Sequence, residues 1–207
     1  MGCQLKATNI KKVFNRRVIF RNISFALSEG QTLRVTGRNG SGKSTLVKII
    51  SRVLSPTEGS VEYAGMEKAG EAGRLQVIGL VSPYLQLYDE FSARENLQFA
   101  MAIRGENPDT NAISALLDMV SLSARKDDPV RTYSSGMKQR AKYALALVHH
   151  PPVLILDEPM ANLDADGMTI VRDIMERQRE HGLLIVATND ASDLDRFDLE
   201  VNLNDAR

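Results

Sequence analysis

Apolar and polar residues alternate in short runs from Leu5 to Thr36: Leu5-Lys6-Ala7-Thr8, Val18-Ile19-Phe20, Ile23-Ser24-Phe25-Ala26-Leu27 and Thr32-Leu33-Arg34-Val35. A period of two turns successive side chains to opposite faces of a strand, so this stretch predicts several strands, with Ser28-Glu29-Gly30 as a turn. The last run leads straight into the glycine-rich segment Gly37 to Gly42, after which Leu46, Val47, Ile49, Ile50 and Val53 recur at helical spacing. Strand, glycine loop, helix is the predicted order.

A break at Ser55-Pro56-Thr57-Glu58-Gly59 precedes a further strand from Ser60 to Ala64, and Ala69 to Gly73 reads as a surface loop. Val77 to Val81 is apolar and β-branched. From Ala93 to Leu122 the apolar positions (Leu97, Phe99, Met101, Ile103, then Ile113, Leu116, Leu117, Val120) follow helical periodicity, interrupted at Gly105 to Pro108, and predict a helical lobe inserted into an α/β core. In the final third, two wholly apolar strands, Val153 to Leu156 and Leu183 to Ala187, flank a helix through Ile170, Val171, Ile174 and Met175. Continuous apolar strands joined by a helix predict a parallel sheet covered on both faces.

Composition narrows the class. The 207 residues fit one domain, or a core with a small lobe, and 43% hydrophobic with 25% charged residues is ordinary for a globular protein. Lys plus Arg and Asp plus Glu both number 26, so no net field draws the chain to nucleic acid, and no nucleic-acid partner is expected. The apolar runs fall far short of the roughly 20 residues of a spanning helix, and no charged start followed by an apolar run reads as a leader. The single Cys3 cannot pair within the chain, so a reducing, cytosolic setting is expected.

Gly37-Arg38-Asn39-Gly40-Ser41-Gly42-Lys43-Ser44-Thr45 fills every position of a phosphate-binding loop in the strand-to-helix context it requires. The glycines let backbone N–H groups turn inward as an anion nest, and the following helix points its positive end at phosphate. Lys43 reaches the β- and γ-phosphates, and the Ser44 hydroxyl ligates Mg²⁺. Val153 to Leu156 ends in Asp157-Glu158-Pro159: Asp157 can hold Mg²⁺ through water, and Glu158 can orient the attacking water. Alone, Asp-Glu-Pro after a strand is a solvated turn; behind a phosphate loop it reads as catalytic.

Tyr133-Ser134-Ser135-Gly136-Met137-Lys138-Gln139-Arg140 resembles the signature motif of ATP-binding cassette (ABC) ATPases, Leu-Ser-Gly-Gly-Gln followed by a basic helix shortly before the acidic strand. Ser134 and Gly136 match strictly. A hydroxyl and a glycine N–H at a helix start make a second anion site, and the plainer alternative is an N-cap serine on a helix from Met137 to Val148. The resemblance extends over nearly the whole chain: Phe14 stands where the family stacks an aromatic on adenine, although a lone aromatic is more often core; Ala161-Asn162-Leu163-Asp164 looks like the loop that contacts the opposite subunit, which puts Asp164 in the set; Glu95-Asn96-Leu97 resembles the opening of the helical lobe.

The resemblance implies an α/β fold with a mainly parallel core sheet, an N-terminal antiparallel β lobe (core and β lobe 1–82 and 150–207) and a helical lobe at about 90–149. It further implies ATP and Mg²⁺ as ligands, a homodimer or cassette pair, and a peripheral place on the cytoplasmic face of a membrane beside an integral membrane subunit docked at Pro83 to Glu95. There Tyr84, Leu85, Leu87, Tyr88 and Phe91 mix with Asp89 and Glu90, which suits an interface, or else pack under the loop. Short length and the form of the signature resemble small exporter-type cassettes, including the haem-exporter subunit of cytochrome c maturation. A soluble ABC ATPase of translation or repair, a weakly hydrolysing ATP-dependent switch and a P-loop small-molecule kinase are the alternatives.

Two departures from the family pattern stand out. Pro83 occupies the position of a loop glutamine, and a proline side chain neither ligates Mg²⁺ nor bonds water, which leaves Gln86 as the nearest substitute. Asn189, in Thr188-Asn189-Asp190, replaces a histidine; it can donate to a γ-phosphate oxygen but carries no proton or charge. Slow turnover is the expectation.

Overall fold

A computed structural model describes residues 2–65 and 77–206. The loop expected at Ala69 to Gly73 lies outside the described residues. Two sheets and a group of helices make up the rest.

The first sheet is antiparallel, in the order β2-β1-β4, from β1 (Gln4–Phe14), β2 (Arg17–Ser28) and β4 (Glu58–Ala64). Val18 to Phe20 and Ile23 to Leu27, read from the sequence as separate runs, form one strand. The polar interruption between them is a bulge: Asn9 and Asn22 take left-handed φ of 48° and 57°, the register shifts there, and the Ser24 hydroxyl accepts from the Asn9 N–H at 2.8 Å. An extra residue in one strand breaks the alternation without ending the ladder, and asparagine tolerates the conformation.

The second sheet is wholly parallel, in the order β5-β6-β7-β3-β8, from β3 (Thr32–Thr36), β5 (Ile78–Val81), β6 (Val153–Asp157), β7 (Leu183–Ala187) and β8 (Leu199–Asn202). Every residue of β6 and β7 is buried. The reason is visible in the packing. Val153, Ile155, Leu183 and Ile185 join a core shared with the antiparallel sheet and with α1 (Lys43–Ile50), whereas Leu154, Leu156, Leu184 and Val186 face a second core built on the remaining helices. With both faces covered, a period of two leaves no polar position.

Helix α1 stops at Ile50, where Arg52 turns left-handed at φ 60°; Val53, which the sequence spacing placed on the helix, lies beyond it and is 65% exposed. Helices α2 (Ala93–Ile103), α3 (Thr110–Met119) and α4 (Ser135–Leu147) pack on one another, and α4 also lies on β5; α5 (Ala165–His181) covers β7. The Glu95-Asn96-Leu97 motif has a local cause. The Ser92 hydroxyl caps the Glu95 N–H while Glu95 accepts from the Ser92 N–H at 2.8 Å, the buried Asn96 amide ties the preceding loop through Tyr88, and Leu97 fills the core. A reciprocal cap of this kind is worth about 1 kcal/mol.

Candidate functional site

The carboxyl ends of β3, β6 and β7 lie side by side, and the loops leaving them converge. The loop after β3 contains Gly37, Gly40 and Gly42 at φ 144°, 75° and 111°, conformations that side chains rarely adopt. A Cβ added at Gly42 would also stand 2.7 Å from Ile19 Cγ2. No side chain caps α1, so its first N–H groups, with those of Asn39 and Gly40, are free to face an anion, while the Ser41 N–H is held by the Arg38 carbonyl at 3.0 Å. Ser44 and Thr45 form the first turn of that helix.

Lys43 is 6% exposed, and its ammonium donates to the Gly37 carbonyl at 2.9 Å and to Asn189 Oδ1, and sits 3.6 Å from a Glu158 carboxylate oxygen. Asn189 in turn donates to Asn39 Oδ1. Residues from three loops, far apart in sequence, thus surround one lysine at the nest.

Asp157 ends β6, is 1% exposed, and has no hydrogen-bond partner on either carboxylate oxygen. Burial raises its pKa above the usual aspartate value, while the neighbouring Ser44 hydroxyl and the Lys43 and Lys48 ammoniums pull the other way. A buried, unpartnered carboxylate beside a hydroxyl suits a hard cation whose other ligands are phosphate oxygens and water, the way Mg²⁺ is commonly held. Among the described residues no cluster of three or more His, Cys, Asp or Glu could cage a metal unaided. Glu158 follows at φ 53°, its N–H bonded to the Ala187 carbonyl at 2.8 Å. Its pKa is also raised by burial, and Lys43 and the Asn189 N–H draw it back. A left-handed non-glycine residue holds this side chain turned toward the lysine.

Ser134 caps α4 by accepting from the Met137 N–H at 3.2 Å and stays exposed, with Gly136 in the first turn. Tyr133, in the place of a leucine, is buried with its hydroxyl on the Arg125 carbonyl at 2.6 Å. Among the described residues no hydrogen bond or ion pair joins Ser134 or Gly136 to Lys43, Asp157 or Glu158 in the same chain. Asp164 caps α5 through the Gly167 N–H at 2.8 Å.

Phe14, at the end of β1, is 43% exposed rather than core, with the Lys12 ammonium 4.8 Å from its ring centroid. Its cross-strand partner is Arg17. Arg17, Val18, Ile19 and Arg21 line a cavity of about 290 Å³ with Gly40. Sequence reading passed over these arginines because strand periodicity alone does not say which face of β2 meets the phosphate loop.

Pro83 is exposed, in a turn closed by the Leu85 N–H on the Ser82 carbonyl at 3.0 Å, and the Tyr84 ring lies over Lys48 of α1, 3.9 Å from ammonium to centroid. Gln86 lines a separate groove of about 240 Å³ with Leu80, Tyr88 and Phe99, a groove without Lys43, Ser44 or Asp157 in its walls. Tyr88, Phe91 and Phe99 form an exposed aromatic cluster with centroids 5.2 to 6.0 Å apart, and Ile103 beside it is 69% exposed. Leu87 packs inward. Asp89 and Glu90 are paired with Lys138 at 2.8 Å and Arg131 at 3.3 Å. The helical periodicity that runs through Phe99 and Ile103 predicts the helix but does not distinguish a core face from an apolar face left open. Tyr143 is a further residue the sequence did not single out: buried in α4, it donates to the Pro159 carbonyl at 2.8 Å and braces the loop after Glu158.

Comparisons with known proteins agree with this arrangement. The model of a family described as ABC transporter matches residues 20–161. The chain is 35% identical over 185 residues to the lantibiotic transport ATP-binding protein SrtF of Streptococcus pyogenes, covering 89% of this chain and 79% of that protein. It is 39% identical over 176 residues to the cytochrome c biogenesis ATP-binding export protein CcmA of Rhizobium johnstonii, covering 82% and 80%. Among solved structures, a dimeric ATP-binding cassette in a post-hydrolysis state bound to ADP and Pi superposes with a TM-score of 0.84 at 22% identity, over 96% of this chain and 93% of that one.

Proposed function

The chain belongs to the ABC transporter family, and on that premise we propose that it is the ATP-binding and ATP-hydrolysing subunit of a transporter, one half of a dimer that closes around nucleotide. The observation that carries this reading is the unpartnered buried Asp157 carboxylate beside Lys43 and Glu158 at an open anion nest. Backbone N–H groups of residues 37–45 bind the phosphates and Lys43 leaves Asn189 for a phosphate oxygen. Asp157 and Ser44 would hold Mg²⁺, which neutralises charge developing between the β- and γ-phosphates. Glu158 orients water and takes up its proton at a carboxylate oxygen. Asn189 donates from Nδ2 to a γ-phosphate oxygen. With proline at 83 and an amide at 189, turnover is slow, well below the roughly 10 per second typical of enzymes.

The exposed Ser134 and half-buried Gly136 at the start of α4, unbonded to the chain's own Lys43, support a role in gripping the triphosphate held by a second copy, with the Asn162 and Asp164 segment beside them. The division into a core with β lobe (1–82, 150–207) and a helical lobe (about 90–149) belongs to the same reading. The apolar groove and aromatic cluster at Pro83 to Glu95, extended by Phe99 and Ile103, support docking of an integral membrane subunit, which would hold the chain at the membrane as a peripheral subunit. No helix of the described residues is long and apolar enough to cross a bilayer. The test is Glu158→Gln in the full chain with ATP and Mg²⁺: phosphate release falls at least about 100-fold, as loss of a general base should make it, while light scattering shows nucleotide-dependent pairing. Unchanged phosphate release with no pairing would overturn the proposal.

A further inference from the structure

A cavity of about 440 Å³ opens where the carboxyl ends of α3, α4 and α5 meet. Neither the nucleotide-site residues Lys43, Asp157 and Glu158 nor any residue of the lobe groove stands in its walls. Its volume is close to fifteen times the about 30 Å³ of a water in the liquid and falls within the roughly 300–1,000 Å³ of small-molecule sites. Leu116 and Met119 of α3, Leu147 of α4, Ile174 of α5 and the linking Pro151 and Pro152 make the apolar walls. One side is a single helical face, since Ile174, Arg177, Gln178 and His181 are three, four and seven residues apart along α5. Arg177, His150 and His181 are exposed, so the polar tips stand at the mouth.

The charge at that mouth has one sign. No acidic residue lines the cavity, and among the described residues Arg177 has no carboxylate within ion-pair distance. Its guanidinium donates from Nη1 to Met119 Sδ at 3.4 Å, and a thioether is a weak acceptor. Acids on the same helices are engaged elsewhere: Glu176 with Arg179 at 3.1 Å, Glu180 with His181 at 3.7 Å, and Asp118 with the Ser123 hydroxyl. Helix carbonyl ends by themselves favour a cation, but these already have donors. The Val120 and Ser121 carbonyls accept from Arg140 at 2.8 Å, Pro151 accepts from Gln178 at 3.2 Å, and Gly182 accepts from the Gly30 N–H at 2.9 Å. Arg177 is therefore free to exchange a sulfur for a carboxylate, whose two oxygens match its fork.

We propose that this cavity is a second ligand site, separate from the phosphate loop, for a small amphipathic carboxylate whose apolar chain lies between α3, α4 and α5 and whose head pairs with Arg177. The test is calorimetric titration of the full chain with decanoate, set against decanol, decyltrimethylammonium and decyl phosphate. Decanoate binds saturably, one per chain, at least about fivefold tighter than the alcohol or the ammonium. Arg177→Ala lowers decanoate affinity about fivefold or more, as loss of a charge-assisted pair should, and leaves decanol binding unchanged. In methyl-labelled methionine spectra the Met119 signal, assigned with Met119→Leu, moves on adding decanoate, and ATP with Mg²⁺ does not reverse it. Circular dichroism verifies that the variants are folded. No saturable decanoate binding, equal binding of decanol, indifference to Arg177→Ala, or displacement by ATP overturns the proposal. Decyl phosphate bound more than about fivefold tighter than decanoate overturns the carboxylate assignment.

Discussion

The phosphate loop and the outer surface of the helical lobe are both incomplete, in opposite ways. At the loop the incompleteness is polar and buried: Asp157 has no partner, and three glycines bend the backbone into an open nest. On the lobe it is apolar and exposed: Tyr88, Phe91, Phe99 and Ile103 face outward while the acids beside them are already paired with Lys138 and Arg131. A buried charge without a partner costs stability until a ligand neutralises it, whereas an exposed ring costs little in the free chain and gains when a partner covers it. The first region should therefore respond to mutation in binding and stability at once, the second in association alone.

The largest expected effect breaks the first region. Lys43→Ala removes the one buried ammonium at the nest, and ATP affinity and phosphate release should both fall at least about 100-fold, the magnitude expected when a positioned cation on a transferring phosphoryl group is lost. Equilibrium nucleotide binding checks this, and affinity within a few-fold of the unaltered chain would contradict the site.

A smaller effect of opposite sign sharpens the comparison. Because burial raises the Asp157 pKa in the folded chain, its ionisation opposes folding: this group's contribution is most favourable below the ordinary aspartate pKa and is lost as pH rises through the higher folded value. Asp157→Asn should therefore raise the melting temperature of the nucleotide-free chain at neutral pH by a few degrees, since about 1 kcal/mol corresponds to 2–4 °C at this size, while abolishing Mg²⁺-dependent nucleotide binding. The gain should vanish in acid. Calorimetric melts across pH test it; a fall in melting temperature at neutral pH would show that the carboxylate is stabilising after all.

The smallest effect lies on the lobe. Ile103→Ser beside the exposed cluster, at a position 69% exposed, should change stability by no more than about 0.5 kcal/mol, as surface substitutions do, and leave phosphate release by the isolated chain intact. Co-purification of a membrane protein should be lost. Impaired hydrolysis in the isolated variant would mean that the cluster supports the nucleotide site and not a partner.

Much of the first region was legible because its requirements are local. Left-handed glycines, an uncapped helix start and a strand buried on both faces each leave a mark on neighbouring residues, so Gly37 to Thr45 and Val153 to Glu158 could be read directly. The lobe was less so. Phe99 and Ile103, four apart, lie on one face of α2 and Leu97 on nearly the opposite one; only the Leu97 face is covered, and which apolar face is covered depends on what packs above it. Arg21 and Asn22 interrupt the apolar runs of β2 as a turn would, since a bulge and a turn use the same residues. The Tyr143 hydroxyl on Pro159 and the arginines beside Gly40 left no local signal at all.

By itself the sequence determined the elements, the anion nest, the acidic strand end and the order of the motifs, because backbone conformation and burial period are set by near neighbours. Only the tertiary structure decided that Lys43, Asp157, Glu158 and Asn189 meet, that Gln86 faces the lobe groove, and that Arg17 and Arg21 flank the nest. The parallel order β6-β7-β3 brings loops more than a hundred residues apart to one edge, and strand order is a property of how the faces pack, which no short stretch of residues contains.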